Sequence, residues 1–464
     1  MSKTLSDIND KIVRGAARVV RADEMATLVR AKGPERAAEE VDVVTTGTFG
    51  AMCSSGVWLN FGHSDPPIKM SRVWLNDVEA YTGVAAVDAY IGATQPSQSR
   101  GIAYGGAHVI EDLLRGKPVV LRAVAYGTDC YPRKKIVTTI TLADLNSAVM
   151  SNPRNGYQRY NAATNSGPRA LRTYMGKLLP RFGNVTFSGA GALSPLSNDP
   201  GYRAIGIGTR IFLGGAPGFV TGPGTQHSPQ SGFGTIMVQG DLKRMSPEFV
   251  RAATFPGYGS TLYLGIGIPI PILAAESARA AGVGDKDIFT SVMDYGVPSR
   301  TRPALREASY AELKSGAIEL AGREVRTSPL SSYAAARRIA DALKTWIERG
   351  EFLLTAPSEN LPTQATVKPL ERRPSQPDGP GPKPSPASSS NGRVAWDAGT
   401  CIECGECLSI CPRSVFSRTR DWAIRADISA CAGCRLCVDV CPVGAIRPPG
   451  RSKLGDARRR QVAL

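Results

Sequence analysis

Upstream of residue 401 the 464-residue sequence holds only two cysteines, Cys53 and Cys130, and the whole chain has three histidines, His63, His108 and His227. Long apolar runs are missing too. The longest, 263–275, is broken by Pro269 and Pro271 and is too short to span a bilayer. Residues 1–20 intersperse Lys3, Asp7, Asp10, Lys11, Arg14 and Arg18 among apolar residues, so they lack the apolar core of a signal peptide. These absences predict a chain with no membrane contact, in the cytoplasm. No Gly-Lys-Ser/Thr ending marks a phosphate loop, and Gly206-Ile-Gly208 lacks a third glycine at fingerprint spacing, so nucleotide binding has no support. No nucleic-acid motif accompanies the basic excess.

What is present is ordinary for a globular chain: 42% hydrophobic and 21% charged residues. Lys+Arg 56 against Asp+Glu 40 gives a formal +16. Cluster-bound thiolates would lower that figure. The length calls for more than one domain, and composition divides it. Residues 1–356 read as a large mixed α/β catalytic domain. Helices are expected at 6–20, 22–32, 35–40, 107–114, 246–253, 273–281 and 331–349. Strands are expected at 41–46, 117–126, 135–142, 185–188, 204–213 and 234–239, with a Gly-rich turn at 47–50. Residues 357–391 read as a Pro/Ser/Gly-rich linker, with a reach of roughly 30 Å r.m.s. for a flexible chain of that length. A small ferredoxin-like α+β domain at 392–448 and a basic tail at 449–464 complete the chain.

Eight of the ten cysteines fall in that small domain. Cys401-x-x-Cys404-x-x-Cys407-x-x-x-Cys411-Pro412 is repeated as Cys431-x-x-Cys434-x-x-Cys437-x-x-x-Cys441-Pro442. In such runs three close thiolates wrap one face of a cubane, and the displaced fourth closes the other cluster. The expected wiring is Cys401, Cys404, Cys407 and Cys441 on one [4Fe–4S] cluster, with Cys431, Cys434, Cys437 and Cys411 on the second. Asp397 and Asp427 precede the runs at matching places, as an internal duplication would leave them. Over about its last 60 residues the chain resembles the bacterial two-cluster ferredoxins. Two clusters, free thiols and no disulfide framework fit a reducing compartment.

Cys53 and Cys130 each sit in a Gly-containing turn after an expected strand. Arg133, Lys134 and Lys135 follow Cys130 closely, and nearby cations favour a thiolate. Two thiols could carry sulfur or form a disulfide. The segments "TTGTFGAMCSSGVWLNFGHSDPPIKM", "VWLNDVEAYTGVAAVDAYIGAT", "YGGAHVIEDLLRGKPVVLRAVAYGTDCYPRK" and "SSYAAARRIADALKTWIERGEFLLTAP" closely resemble the homocysteine-biosynthesis sulfur-incorporation family, the L-aspartate semialdehyde sulfurtransferases. The resemblance implies replacement of the aldehyde oxygen of aspartate semialdehyde by sulfur, with reduction, to give homocysteine. The family's two motif cysteines fall on Cys53 and Cys130. The archaeal pattern often carries regulatory CBS-type modules and a separate ferredoxin. This chain leads straight from linker to ferredoxin, which removes any argument for adenylate regulation.

The expected reactants are therefore aspartate semialdehyde, a sulfide or persulfide donor and a low-potential electron donor. Aldehyde plus sulfide becoming thiol plus water takes two electrons, and a persulfide takes two more, which suits a two-cluster module. In this scheme Cys53 or Cys130 holds a persulfide that attacks the aldehyde carbon. His63, near Cys53 in sequence, is a candidate proton shuttle. Weaker candidates are the helix start at His108, Asp129 as acid or base, and Arg210 as a carboxylate partner. Alternatives are sulfur insertion into another aldehyde or cofactor precursor, or a non-catalytic electron-transfer or sulfur-carrier protein.

Overall fold

The computed structural model describes residues 3–370 except Tyr157, and residues 392–449 except Cys404, 420–422 and Pro442. Most of 357–391 and of the basic tail thus lies outside the described residues. The large domain is mixed α/β, with more residues in strands than in helices. A nine-stranded sheet runs from Val250–Phe255 through Gly259–Gly267 to Gly56–Asn60 and Asp88–Gly92. A six-stranded sheet contains the adjacent strands Lys135–Ile140, Val119–Val124 and Arg72–Leu75. A second six-stranded sheet forms further along the chain. Among the described residues no helix is long and apolar enough to cross a membrane.

The helix Tyr333–Glu348 matches its expectation. Ser332 caps it by accepting from the Ala335 amide at 3.2 Å. Ala335, Ala336, Ile339, Ala340, Leu343 and Ile347 recur every three or four residues and are buried. This face lies close on the nine-stranded sheet because glycines leave room: a Cβ on Gly47 would stand 2.2 Å from the Ala336 carbonyl oxygen. The helical stretch Ala22–Glu40 breaks at Gly33 (φ 80°), where the sequence places the stop.

Three expectations are corrected. The first helix is Leu5–Val13, capped by Thr4, not Ser6, and it ends before Gly15 (φ 66°). Val19–Arg21 is instead a strand parallel to Val43–Thr45. Residues 246–253 are not a helix. Ser246 accepts from the Glu248 amide in a single turn, and then Val250–Phe255 pairs with Gly259–Gly267. Its β-branched and aromatic residues fit that pleated surface. The 47–50 turn is also partly strand, since Thr48–Ala51 pairs with Gly259–Gly267. Past Pro357 the chain still touches the large domain: Glu359–Asn360 pairs with Gly206–Ile207, and Leu361 is buried.

Asp42 anchors the N-terminal helix. Its buried carboxylate accepts from Lys3 Nζ (2.9 Å), Lys11 Nζ (2.7 Å) and the Arg18 amide (2.9 Å). Burial alone would raise its pKa, but Lys11, the Arg18 amide and Lys3 together hold it below the ordinary carboxylate range. This stabilisation is present above the unfolded carboxyl's pKa, near 4, and is lost as pH falls through the lower folded value. Asp42→Ala leaves Lys11 without this acceptor and Lys3 with only the Val41 carbonyl; because both ammonium groups keep some access to water, it is expected to cost about 1–3 kcal/mol. A urea titration at pH 7 checks this, and the variant's loss should shrink at strongly acidic pH.

Candidate functional site

Cys130 stands at the tip of a β-hairpin. Val119–Val124 and Lys135–Ile140 form an antiparallel ladder that the Ala125 amide extends to the Lys134 carbonyl at 2.9 Å. At the end, Thr128 and Tyr131 exchange backbone hydrogen bonds of 2.9 and 3.1 Å. The turn they close has Asp129 and Cys130 at its centre, both exposed. The Thr128 hydroxyl oxygen also accepts from the Tyr131 amide, at 3.0 Å.

The cations after Cys130 do not simply gather on its thiol. Arg133 donates to the Asp65 and Pro66 carbonyls, tying the hairpin to the 63–67 loop. Lys134 folds over Gly127, and Lys135 is ion-paired to Glu403. Because of the Arg133 tie, His63 stacks on Tyr131, with ring centroids 5.8 Å apart. The candidate proton carrier, chosen for its nearness in sequence to Cys53, is thus packed on a residue of the Cys130 turn. Gly127, Thr128 and Tyr131, but not Cys130 itself, line a pocket of about 670 Å³ next to the turn (the Cys130 pocket), with Arg72, Tyr81 and Gln95 on other walls.

Cys53 occupies the turn between Thr48–Ala51 and Gly56–Asn60 and is partly buried. The Met52 amide donates to the Leu262 carbonyl at 2.7 Å, and the same register carries Thr261 opposite Cys53. Thr261 and Ser54 each hold a buried hydroxyl that has no partner among the described residues. The Tyr258 phenol senses this cysteine: burial first, then the charges of Cys53 and Tyr174, raise its pKa, against Arg154. Tyr258 is therefore a proton-bearing neighbour of the thiol at neutral pH, a role the sequence did not suggest. Tyr174 is hydrogen-bonded to Tyr295 at 2.7 Å.

Both upstream cysteines are free thiols, so the disulfide alternative is not what the structure holds. Among the described residues no hydrogen bond joins them directly. One short segment links their surroundings: the Ser55 carbonyl accepts from the Ala93 amide at 2.8 Å, and Gln95, two residues on, lines the Cys130 pocket.

Of the weaker candidates, Asp129 is exposed in the Cys130 turn, while His108 and Arg210 make packing and backbone contacts. His108 Nδ1 accepts from the Gly105 amide (3.2 Å), and its ring stacks on Tyr104. His227 is buried, with Nδ1 2.9 Å from the Thr235 carbonyl and Nε2 2.9 Å from that of Pro362. The Arg210 guanidinium lies over the Phe352 ring, 4.3 Å from its centroid, away from both cysteines.

The small domain repeats itself in structure as in sequence. Asp397 accepts from the Gly399 amide and Asp427 from the Ser429 amide, both at 3.0 Å. Backbone amides point at sulfur in both halves: Glu403 to Cys401 and Gly433 to Cys431, each at 3.4 Å. Val415 donates to Cys411 and Ala445 to Cys441 at 3.4 and 3.2 Å. One cavity is lined by Cys401, Cys407 and Cys441. Around Cys437 stand Cys411, Cys431 and Cys434; burial, then these three thiols, push Cys437 up to about 11. Iron would reverse that push, because a coordinated thiol is deprotonated. Cys441 thus lies near Cys401 and Cys407, and Cys411 near Cys431, Cys434 and Cys437, although among the described residues no set of three is close enough to hold a metal as it stands; the soft thiol donors with amide–sulfur bonds fit iron–sulfur ligation. Cys404 lies outside the described residues.

Comparison with known proteins agrees for both parts of the chain. A family model described as homocysteine biosynthesis enzyme, sulfur-incorporation, matches residues 17–354, and a 4Fe-4S dicluster domain matches 395–447. The L-aspartate semialdehyde sulfurtransferase of Methanosarcina acetivorans is 60% identical over 372 residues, covering 80% of this chain and 74% of that protein. Its Methanocaldococcus jannaschii counterpart is 56% identical over 384 residues, covering 80% and 75%. An uncharacterised protein of Methanothermobacter thermautotrophicus is 30% identical over 351 residues, covering 73% and 78%.

Proposed function

This chain belongs to the homocysteine-biosynthesis sulfur-incorporation family, and on that footing we propose that Cys130 carries the sulfur it transfers. The reaction is reductive sulfur incorporation into L-aspartate semialdehyde, giving homocysteine, with electrons from the dicluster domain. The observation that supports Cys130 is its place: an exposed thiol at a hairpin tip whose flanking residues line the pocket. A sulfide or persulfide donor can reach it there.

In this reading the terminal sulfur on Cys130 attacks the aldehyde carbon, whose C=O bond becomes C–OH. Two electrons from the low-potential donor and one proton then cleave the S–S bond, returning the Cys130 thiolate and leaving a thiohemiacetal; His63 is the candidate carrier of the proton to its departing hydroxyl, and water leaves to give a thiocarbonyl. Tyr258, whose phenol feels the charge of Cys53, stands near that second thiol. Cys401, Cys404, Cys407 and Cys441 hold one [4Fe–4S] cluster, and Cys431, Cys434, Cys437 and Cys411 the other, in a ferredoxin-like α+β unit. When bound, these clusters supply low-potential electrons one at a time, from an external donor. The thiols and clusters suit the reducing cytoplasm.

The test is anaerobic. Reconstituted protein receives aspartate semialdehyde, sulfide and a low-potential reductant, and homocysteine is quantified. In parallel, cyanide-releasable sulfane sulfur is measured after loading with a persulfide donor and before any reductant is added. Homocysteine, with sulfane sulfur that vanishes in Cys130→Ser, is the expected result. Sulfane sulfur retained in Cys130→Ser and lost in Cys53→Ser would move the carrier role to Cys53.

A further inference from the structure

The two halves of the dicluster domain are not equivalent in their surroundings. The 401–407 loop lies against the large domain, whereas among the described residues no ion pair or buried cluster joins the matching 431–437 loop to it. Glu403 is ion-paired to Lys135, and Glu406 to Arg72 Nη1 at 2.9 Å. Ile402 is buried with Trp74 and Val124, and Val443 packs on the same group. Arg122 stacks on Trp74, 3.6 Å from the ring centroid, with Arg72 on the same ring at 4.8 Å. Arg418 lies 5.9 Å from that centroid and donates to the Glu403 carbonyl at 3.4 Å.

The internal repeat is offset by 30 residues, so each contact has a sequence counterpart in the other half. Ile402, Glu403, Glu406 and Val443 correspond to Ala432, Gly433, Leu436 and Arg413. The surface related by the repeat thus has Gly433 and Leu436 in place of the two acids that meet the basic face, and Ala432 and Arg413 in place of the apolar pair, one from each half, that meets Trp74. Its loop faces outward instead: Cys434 is exposed and Leu436 is 37% exposed. The duplication has been made asymmetric by those residues that touch the large domain.

The location of the contact gives it a function. Lys135 begins the strand just after the Cys130 hairpin, Val124 ends the strand just before it, and Arg72 lines the Cys130 pocket. From this geometry we infer that the face formed by Arg72, Trp74, Arg122, Val124 and Lys135 is a built seat for the 401–407 loop, which makes its cluster the one nearer the Cys130 pocket. The second cluster is then the outer one, on the side open to an external one-electron donor. Electrons pass singly from that donor to the outer cluster and then to the inner one, and two such passages with two protons reduce one thiocarbonyl carbon to the thiol. The ion pairs are exposed enough to be weak individually. They fix orientation, and the buried Trp74–Ile402 contact supplies most of the attraction.

This inference rests on the proposed reaction only for what the electrons do; the seat itself is testable without it. Full-length holoprotein is prepared as wild type, Lys135→Glu, Glu403→Lys and the charge-swapped double variant. Zero-length carbodiimide cross-linking should join Lys135 to Glu403 in the wild type. Amide exchange in 72–75, 119–124 and 401–407 should rise in each single variant and return in the double. Reoxidation of the pre-reduced clusters by aspartate semialdehyde plus sulfide should fall at least about tenfold in the singles and recover in the double. No cross-link, or no change in exchange, overturns the seat. Exchange that rises while reoxidation stays at the wild-type rate overturns the inner-cluster assignment. A cross-linked, protected wild type that the substrates fail to reoxidise upholds the seat and sinks the substrate reading instead.

Discussion

Cys130→Ser abolishes homocysteine formation, with a fall in kcat of about 10³-fold or more, the scale on which nucleophile loss is felt in covalent catalysis. The substitution replaces one sulfur by oxygen on an exposed turn whose shape is set by Thr128 and Tyr131, so the fold should not respond. Both clusters should remain and remain reducible. Cys53→Ser is expected to lose activity as well, but with sulfane sulfur still present on Cys130. Cys53 sits beside Tyr258 in a more enclosed site, where it can act on sulfur already bound. Anaerobic product assays on the two variants, with sulfane sulfur and iron measured on the same samples, separate loading from transfer. Full activity in Cys130→Ser would end the proposal.

The dicluster spacing and the resemblance were legible because they are local strings. Cysteine spacing is read without knowing the fold, and the family segments place Cys53 and Cys130 directly. What the sequence left open was proximity between distant segments. His63 is 10 positions from Cys53 and 67 from Cys130, yet it stacks on Tyr131 because Arg133 captures the carbonyls of its loop. Tyr258 reaches Cys53 only through the pairing of Thr48–Ala51 with Gly259–Gly267. A signal for that existed in the alternation and β-branching of both segments, but register between strands two hundred residues apart is set by tertiary packing.

Element boundaries failed where a local preference competed with pairing. Ser246 does begin a turn, as its residue type favours. Val250–Phe255 then gains a strand partner in Gly259–Gly267, and the ladder prevails over one helical turn. At the N-terminus a single left-handed glycine, Gly15, ended a helix whose amphipathic pattern ran on. The seat for the 401–407 loop was invisible for another reason. Glu403 and Glu406 look like ordinary surface acids until Lys135 and Arg72 are brought opposite them.

The cross-wiring of the clusters admits a test that does not require telling the two clusters apart. Cys411→Ala should lower bound iron to about half, because it strips one ligand from one cluster. Cys434→Ala should do the same. If Cys411 closes the cluster of Cys431, Cys434 and Cys437, the double variant loses no more than either single, and about half the iron remains. If each run instead closed its own cluster, the two substitutions would strike different clusters and the double would lose nearly all its iron. The pair Cys411→Ala with Cys404→Ala reverses the expectation, since those two should belong to different clusters. The grouping of Cys411 with Cys431 and Cys434 around Cys437 predicts the first pattern, and iron analysis with low-temperature electron paramagnetic resonance decides it. Loss should also be accompanied by partial unfolding of the small domain. Among the described residues its buried apolar core is Val394, Val415, Phe416, Ile424 and Ile446 with cysteines, joined by partly buried Trp396, Leu408 and Val438, a small core for roughly 55 residues without metal.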